Sequence, residues 1–500
     1  MTSVAVERRT WLFGPLPDLL FGCGLLYALG VVALAGSGVA METLSGWLPF
    51  VVLCTGVPHY GATLLRVYGT ADARRRYARY GLYFGLAVWA TFAFSLATPD
   101  VGRWFITLYL TWSPWHYTAQ NFGLAMMFLQ RGGFAVSFAL RRLVKLSFVL
   151  SYVLIFAGIH GARSSGGSDP LYSAEGGFQF ASLEIPDAIV QVVLWTAMLA
   201  YLCVSVVMIH RLLRQGRASR LTPVLALVAS QLVWFVVPVL VGRNFPGLFG
   251  PKGPTALAFF WVAIAHSVQY LWISVYYARA SGIAAATVRG TSGYLGAAIL
   301  VGAALWIYPA YVCAPGALGI LTFDGGLGLL VASAVNLHHF LLDGVIWKLR
   351  DVRVGEALVS KAIAGVAPAA SPRPRASWPL RVAFVAIGAV AVTFWSVGTW
   401  EKEVGYRRAA RANDVERLEL ASRRLALVGR DGPGIHEELG RQRARRGQLE
   451  QSLDEYRKSQ ALAPMPAAWS GMSAVYQDAW TTLRNGVNRM RGLVSDHPDD

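Results

Sequence analysis

Five of the nine histidines interrupt long apolar stretches of the sequence. They are His59, His116, His266, His338 and His339, and the carboxyl group of Asp343 follows four residues after the last of them. An ionisable group at the centre of a bilayer costs about 2.5 kcal/mol or more, so it needs partners there. Imidazole nitrogens and carboxylate oxygens are ligands of iron, copper and zinc. These residue types therefore point to a metal site inside a membrane.

The stretch around the histidine pair predicts a helix with one polar face. The members of that face, at intervals of three or four residues, are Asn336, His339, Asp343 and Trp347. Such intervals match the period of an α-helix, and His338 lies about 100° further round the axis. The remaining histidines must then approach this face from neighbouring helices.

The composition indicates what kind of protein holds these side chains. Of the 500 residues, 55% are apolar and only 15% are charged. Apolar runs of about eighteen residues or more recur, so the predicted fold class is all-α, a polytopic transmembrane helix bundle of about eleven spans. The predicted spans are 14–36, 46–66, 81–98, 104–129, 142–160, 187–210, 221–241, 255–278, 293–312, 318–347 and 380–397.

The formal net charge of +17 reflects cationic loops between spans and does not indicate a nucleic-acid surface. Basic residues follow every second predicted span, as Arg66 and Arg79 do after the second and Arg131 after the fourth. The positive-inside rule then predicts a cytoplasmic N-terminus, with the chain beyond about residue 397 outside a bacterial inner membrane. The four cysteines show no CxxC spacing, which indicates neither a disulfide framework nor a zinc knuckle.

This topology predicts that the histidines share one depth. The second, fourth, eighth and tenth spans run in the same direction, and their histidines come roughly 15 to 20 Å from the outer boundary at helical rise. We therefore expect one metal centre with His59, His116, His266 and His339 as ligands. His338 is a candidate fifth ligand or substrate partner, and Asp343 is a candidate ligand, acceptor for a histidine N–H or catalytic acid.

Several neighbours of these residues are expected to orient the ligands or line a pocket. They are Gln120, Asn121, Gln269, Tyr270, Asn336 and Trp347. The competing interpretation is that each histidine is structural and only hydrogen-bonded to an adjacent helix. A shared depth favours the metal centre, because unrelated core histidines would scatter in depth.

The chemistry of such a centre stays open on sequence grounds. The prediction is a metal-dependent enzyme, with non-haem iron and with copper or zinc as alternatives, that oxidises a lipid or other apolar substrate. The adjacent pair His338 and His339 resembles the double histidine of membrane desaturases and hydroxylases and of haem–copper oxidases, although the further histidine boxes of both groups are absent. The alternatives are haem b for electron transfer, acid catalysis by Asp343 in cyclisation or isomerisation of a lipid, and transport.

The last hundred residues differ in composition from the rest. The predicted domains are a membrane domain, 1–400, with a cytoplasmic linker at 365–379, and a helical domain, 401–500. Within about 411–497, the residues Glu438, Leu439, Gly440, Gly447, Leu449, Leu453, Tyr456 and Pro464 fall at the offsets of the tetratricopeptide repeat. The tail therefore resembles that repeat family, and the resemblance implies a helical module that binds a protein or peptide partner.

Overall fold

The described part of the chain is helical throughout. The computed structural model describes residues 10–30, 49–162, 180–216, 218–236, 239, 254–281, 290–360, 378–462 and 466–496. Helix accounts for 86% of the structure, and within the described ranges extended pairing is limited to one bridge between Gly161 and Ile185. The predicted all-α class is confirmed. The predicted linker at 365–379 lies almost wholly outside the described residues.

The principal helices of the described ranges are named here in chain order. They are α1 (Gly56–Tyr68), α2 (Ala71–Ala97), α3 (Pro99–Arg131), α4 (Phe138–His160), α5 (Asp187–Leu213), α6 (Thr222–Gln231), α7 (Pro254–Ala280), α8 (Gly290–Cys313), α9 (Gly328–Ile346) and α10 (Trp378–Trp400). The tail contributes α11 (Val415–Leu427), α12 (Pro433–Arg445), α13 (Leu449–Leu462) and α14 (Pro466–Asp496).

Eight described helices are long and apolar enough to cross a membrane, which indicates an integral membrane protein. They are Pro49–Tyr68, Ala71–Ala97, Phe138–His160, Asp187–Leu213, Ala218–Val236, Gly290–Cys313, Phe323–Ile346 and Val382–Ala412. The predicted number of eleven stays a prediction. Helices α3 and α7 form where spans were predicted but are not among the eight. The predicted span 14–36, described as far as residue 30, is broken at Gly24, whose φ is 76°.

The chain divides into two compact units. The first comprises Met1–Ser173, Gln179–Trp306 and Ala332–Val392, and the second comprises Ala174–Phe178, Ile307–Val331 and Thr393–Asp500. All five intramembrane histidines and Asp343 belong to the first unit.

Two glycines in the first unit set the position of α1 against α8. A Cβ atom on Gly61 would lie 1.8 Å from the carbonyl oxygen of Ala298, and one on Gly302 would lie 1.9 Å from that of Val57. Neither distance is possible for a real side chain, so only glycine permits this approach of the two backbones. Small residues commonly allow such contacts between membrane helices. The contact holds the turn that carries His59.

Two arginines that the sequence analysis assigned to cytoplasmic loops are in fact buried. Arg66 is 6% exposed and donates to the carbonyl oxygen of Ile346 at 2.7 Å. Arg131 is also 6% exposed and donates to carbonyl oxygens of Trp11 and Leu358, both at 2.7 Å. Carbonyl groups at helix ends lack partners within the helix, and arginine supplies several donors at once. Both side chains therefore join segments inside the protein.

The second unit contains the packed helices of the tail. Helix α12 packs on α13, where a Cβ atom on Gly440 would lie 2.9 Å from the ring of Tyr456. The hydroxyl of Ser452 donates to the carbonyl oxygen of Gly440 at 2.6 Å. These contacts explain a glycine at position 440. The assignment to the tetratricopeptide family stays a prediction.

Candidate metal centre

Four of the five intramembrane histidines converge on one point from four different helices. They are His59 of α1, His116 of α3, His266 of α7 and His339 of α9, and one ring nitrogen of each lies within 4.8 Å of one ring nitrogen of every other. This set is named the histidine quartet below. The convergence predicted from a shared depth is present in the structure.

The imidazole rings of the quartet contact one another in a closed cycle. The ring centroids are separated by 4.1 Å for His59 and His339, 5.0 Å for His339 and His116, 4.9 Å for His116 and His266, and 4.9 Å for His266 and His59. Adjacent ring planes meet at angles from 73° to 86°. At each contact, then, the edge of one ring faces its neighbour.

Every member of the quartet has a buried ring nitrogen without a hydrogen-bond partner. These atoms are Nε2 of His59, His116 and His339 and both ring nitrogens of His266. The four side chains are between 1% and 8% exposed. Buried polar atoms are nearly always hydrogen-bonded, so a group of unpaired nitrogens at one point requires an explanation. A metal ion would satisfy one lone pair from each ring.

Asp343 brings a carboxylate to the same point. Its Oδ2 lies 3.3 Å from Nε2 of His339 and 3.7 Å from Nε2 of His116. The residue is 6% exposed and lies on α9, one turn beyond His339. Oδ2 therefore lies beside two of the unpaired nitrogens and can serve as a further ligand or hold a proton.

The other carboxylate oxygen belongs to a hydrogen-bond network that joins three helices. Oδ1 of Asp343 accepts from the Tyr270 hydroxyl at 2.9 Å and lies 3.3 Å from the Thr63 hydroxyl oxygen. The Tyr270 oxygen accepts from the indole N–H of Trp347 at 3.1 Å. The Thr63 oxygen lies 2.8 Å from Nδ1 of His339. The side chain of Asp343 is thus held from one side while Oδ2 stays free.

These distances allow an assignment of hydrogens in which each donor has one acceptor. The Thr63 and Tyr270 oxygens lie 2.5 Å apart, so one hydroxyl donates to the other. Trp347 and Thr63 then donate to Tyr270, Tyr270 donates to Asp343, and Nδ1 of His339 donates to Thr63. The 3.3 Å contact between Thr63 and Asp343 carries no hydrogen in this assignment. His339 is then the neutral tautomer with its lone pair on Nε2, the nitrogen that faces the quartet. Histidines that bind metals commonly have this arrangement, with the second nitrogen hydrogen-bonded and the ring orientation fixed.

Comparison of the chain with family models, with curated proteins and with solved structures gave no match. The role of the quartet therefore rests on its own geometry and chemistry. The atoms that decide it are the unpaired nitrogens and the free oxygen of Asp343.

The geometry of the quartet fits a bare metal ion. With metal–nitrogen bonds of about 2.1 Å, ligand nitrogens lie about 3 to 4 Å apart, so each side chain would need to move inward by about 1 Å or less. A haem is a poorer fit. Its macrocycle needs a slot between its two axial histidines, whereas every ring of the quartet has two neighbouring imidazoles at 4.1 to 5.0 Å.

His338 does not join the quartet. It is 5% exposed, and a Cβ atom on Gly85 of α2 would lie 3.8 Å from its Nε2, so the ring is directed at α2. One residue along a helix corresponds to a rotation of about 100°, which turns His338 away from the point that His339 faces. Its placement does not favour a role as a fifth ligand of the same ion.

Three of the four predicted amide neighbours pair with one another. Gln120 donates to Gln269 at 2.5 Å, Gln269 donates to Asn121 at 2.9 Å, and Asn121 donates to Gln231 at 2.8 Å. Asn336 accepts from the Tyr60 hydroxyl at 2.7 Å. Of the predicted neighbours, Tyr270 and Trp347 belong to the Asp343 network. Gln120, Asn121 and Gln269 form a separate layer about one turn from His116 and His266.

Two residues that contact the quartet carried no strong signal in the sequence. Ser267 lies 3.5 Å from Nδ1 of His59, and the ring of Phe340 stacks on that of His116 with centroids 4.2 Å apart. Both are immediate neighbours in sequence of a quartet histidine. Thr63 was recognisable as a candidate because it lies one turn after His59 on the same helix face.

Proposed function

We propose that this protein is a membrane-embedded, metal-dependent enzyme that oxidises a lipid or another apolar substrate. The observation that carries the proposal is the group of buried, unpaired nitrogens of the histidine quartet, with Oδ2 of Asp343 beside them. A structural role for the histidines would predict hydrogen bonds to neighbouring helices at these nitrogens.

Iron suits this donor set better than zinc if the centre is catalytic. Zinc in proteins is usually tetrahedral, and four imidazoles would close that site and leave no position for a substrate. Non-haem iron centres accept imidazole and carboxylate ligands and retain open positions. The quartet and Oδ2 of Asp343 would supply up to five donors to iron, which would supply oxidation chemistry at this point. Copper is the remaining alternative.

The walls around the quartet support an apolar substrate. Phe340 stacks on His116 at an interplanar angle of 23°, and Tyr117 lies over His266 with ring centroids 4.3 Å apart. The quartet is carried by helices of an integral membrane protein, so the surrounding bilayer is the nearest source of apolar molecules. Buried aromatic walls also exclude water from the site.

The network around Asp343 fixes the position of its carboxyl group beside the quartet. In the assignment given above, Oδ1 accepts from Tyr270, which in turn accepts from Thr63. Asp343 then orients His339 through Tyr270 and Thr63 and holds a free oxygen next to the quartet. Acid-catalysed cyclisation, the alternative without a metal, would need this group to carry a proton before the substrate arrives.

The lipid composition of a bacterial strain that carries this protein tests the proposal. We expect a strain carrying His266→Ala to accumulate an apolar lipid that lacks an oxygen atom or a double bond present in the wild type. The substitution removes a ligand of the ion, and neither ring nitrogen of His266 has a hydrogen-bond partner to lose. Mass spectrometry of total lipid extracts measures this. His210→Ala, at an exposed position, is the matched control and should give the wild-type profile. Identical profiles for the His266→Ala and wild-type strains would contradict the proposal.

A further inference from the structure

A small cavity lies in the first unit, apart from the metal centre. It is lined by Arg66, Ser274, Tyr277, Ala278, Tyr294 and Trp347. Its free volume has room for about one water-sized group. The cavity is called the Arg66 cavity below.

The guanidinium group of Arg66 is held rigidly at the cavity but is only partly hydrogen-bonded. Its central carbon lies 3.7 Å from the ring centroids of both Tyr277 and Trp347, so the group contacts two aromatic rings whose planes meet at 76°. Nη2 donates to the carbonyl oxygen of Ile346. Nε and Nη1 are buried and have no partner, and the hydroxyl of Ser274 is also buried without one. The lining therefore contains unused donors from two residues.

The charge of Arg66 also lacks a direct counter-ion. Within the described ranges, no carboxylate lies at ion-pair distance from its guanidinium group. An arginine cannot lose its proton to escape burial, because its pKa is above about 12. The partners of Arg66 are the Ile346 carbonyl oxygen and two aromatic rings, none of which carries a full negative charge, so an anion that enters this cavity would stabilise the buried cation.

The cavity lies at the level where membrane helices end. Arg66 and Ala278 are each two residues from the last residue of their helices, Tyr294 is four residues after the start of α8, and Trp347 directly follows α9. Helix ends of a membrane protein lie near the lipid headgroups. Basic pockets between helices at this level are suited to phosphate headgroups.

We propose that the Arg66 cavity binds a phosphate oxygen of an anionic phospholipid headgroup. The cavity has room for one phosphate oxygen, and the remainder of the phosphate lies at the mouth of the cavity. One unused N–H of Arg66 and the hydroxyl of Ser274 donate to that oxygen, which satisfies a buried donor from each residue. The proposal does not depend on the metal centre. The two sites are related through Trp347, whose ring covers Arg66 and whose N–H donates to Tyr270.

Thermal unfolding of the full chain in detergent tests the proposal. Short-chain phosphatidylglycerol, phosphatidylcholine and inorganic phosphate are titrated separately, and the unfolding midpoint is recorded. We expect phosphatidylglycerol to raise the midpoint by about 3 °C at saturation and phosphatidylcholine to leave it unchanged. A rise with inorganic phosphate as well would identify the phosphate group alone as the ligand, and no rise with it would identify the lipid.

Three variants make the result specific to the cavity. Arg66→Gln should abolish the shift, and Ser274→Ala should weaken binding about 10-fold while it leaves the fold intact. Arg79→Gln removes an exposed arginine after α1 and should behave as the wild type. An unchanged shift in both Arg66→Gln and Ser274→Ala would overturn the proposal, as would an equal shift with phosphatidylcholine. If Arg66→Gln does not fold, an unchanged affinity in Ser274→Ala is sufficient to overturn it.

Discussion

At the scale of single residues, metal binding depends on how His339 and Asp343 are held in position. Their partners, Thr63 and Tyr270, belong to two other helices and are 207 residues apart in sequence. The network forms hydrogen bonds with Nδ1 of His339 and Oδ1 of Asp343. Nε2 of His339 and Oδ2 of Asp343 are left free to bind a metal. Substitutions in the network should therefore change the affinity for the metal, because the ligands themselves are still present.

We expect Tyr270→Phe to weaken metal binding by about 10- to 100-fold, which is the usual effect of removing a hydrogen bond to a ligand. The substitution removes a donor to Asp343 and leaves the indole of Trp347 without its acceptor. Metal retention against a series of chelators measures the change. Tyr83→Phe, at a position that is 64% exposed, is the matched control. Equal metal retention in Tyr270→Phe and the wild type would exclude the network from metal binding.

His436 in the tail gives a prediction about pH. Burial alone would lower its pKa, but hydrogen bonds and charges from Asp431 and Glu455 outweigh burial and raise it from 6.5 to about 9. The protonated histidine therefore stabilises the fold fully below pH 6.5, and this contribution is lost as the pH rises through about 9. Hydrogen-exchange protection of α12 and α13, corrected for intrinsic exchange, should fall over that interval.

The same pair limits stability on the acid side. Burial would raise the pKa of Glu455, but hydrogen bonds from His436 and Lys458 lower it from 4.5 to about 2. Its contribution is complete above pH 4.5 and is lost as the pH falls through about 2. The variant His436→Gln should lose the alkaline dependence. A protection profile that is flat between pH 6.5 and 9 in the wild type would show that the pair does not stabilise the tail.

The sequence predicted that four histidines lie close together, but it did not predict which residues contact them. Depth along a helix can be counted from a predicted boundary, and this count placed His59, His116, His266 and His339 at one level. The rotation of each helix about its axis cannot be counted in the same way. That rotation determines the contact between Thr63 and His339 and directs His338 towards α2.

At the scale of helices, Gly61 allows the backbone of α1 to approach that of α8 closely. We expect Gly61→Ala to destabilise the protein by about 1 to 3 kcal/mol or more, because its Cβ would lie 1.8 Å from a carbonyl oxygen of the other helix. The shift of α1 needed to relieve this contact would also move His59, so metal retention should fall. Thermal unfolding and metal analysis of the same preparation measure both effects.

Gly123→Ala is the matched control for this experiment. A Cβ atom on Gly123 would have no neighbour within 4 Å, and alanine favours helix more than glycine does. This variant should be as stable as the wild type or slightly more so. If both alanine variants behaved alike, the contact between α1 and α8 would not position His59.

The sequence predicted most helices but not their breaks. Hydropathy alone carries no information on the positive φ of Gly24, which interrupts the first predicted span. It also misassigned Arg66 and Arg131, since a cation at a helix end is equally consistent with a loop and with buried hydrogen bonds to carbonyl groups. Burial of such a group depends on which segments pack over it, and no local pattern reports this.

At the scale of the whole molecule, composition alone identified an all-α integral membrane protein. The predicted topology, with the N-terminus in the cytoplasm and the tail outside, follows from cationic loops and stays a prediction. We expect protease added to intact spheroplasts to remove the chain after about residue 400. Immunodetection of an N-terminal tag and a C-terminal tag on the same chain measures this. Protection of the C-terminal tag would reverse the orientation while leaving the histidine quartet unaffected.

The metal content of the purified protein tests the central claim most directly. We expect elemental analysis of detergent-purified wild type to give about one iron per chain, with no haem absorption band. His116→Ala and His339→Ala should each lose the metal while expression is retained, and His210→Ala should keep it. Full metal occupancy in both quartet variants, or no metal in the wild type after reconstitution with iron, copper or zinc, would contradict the account.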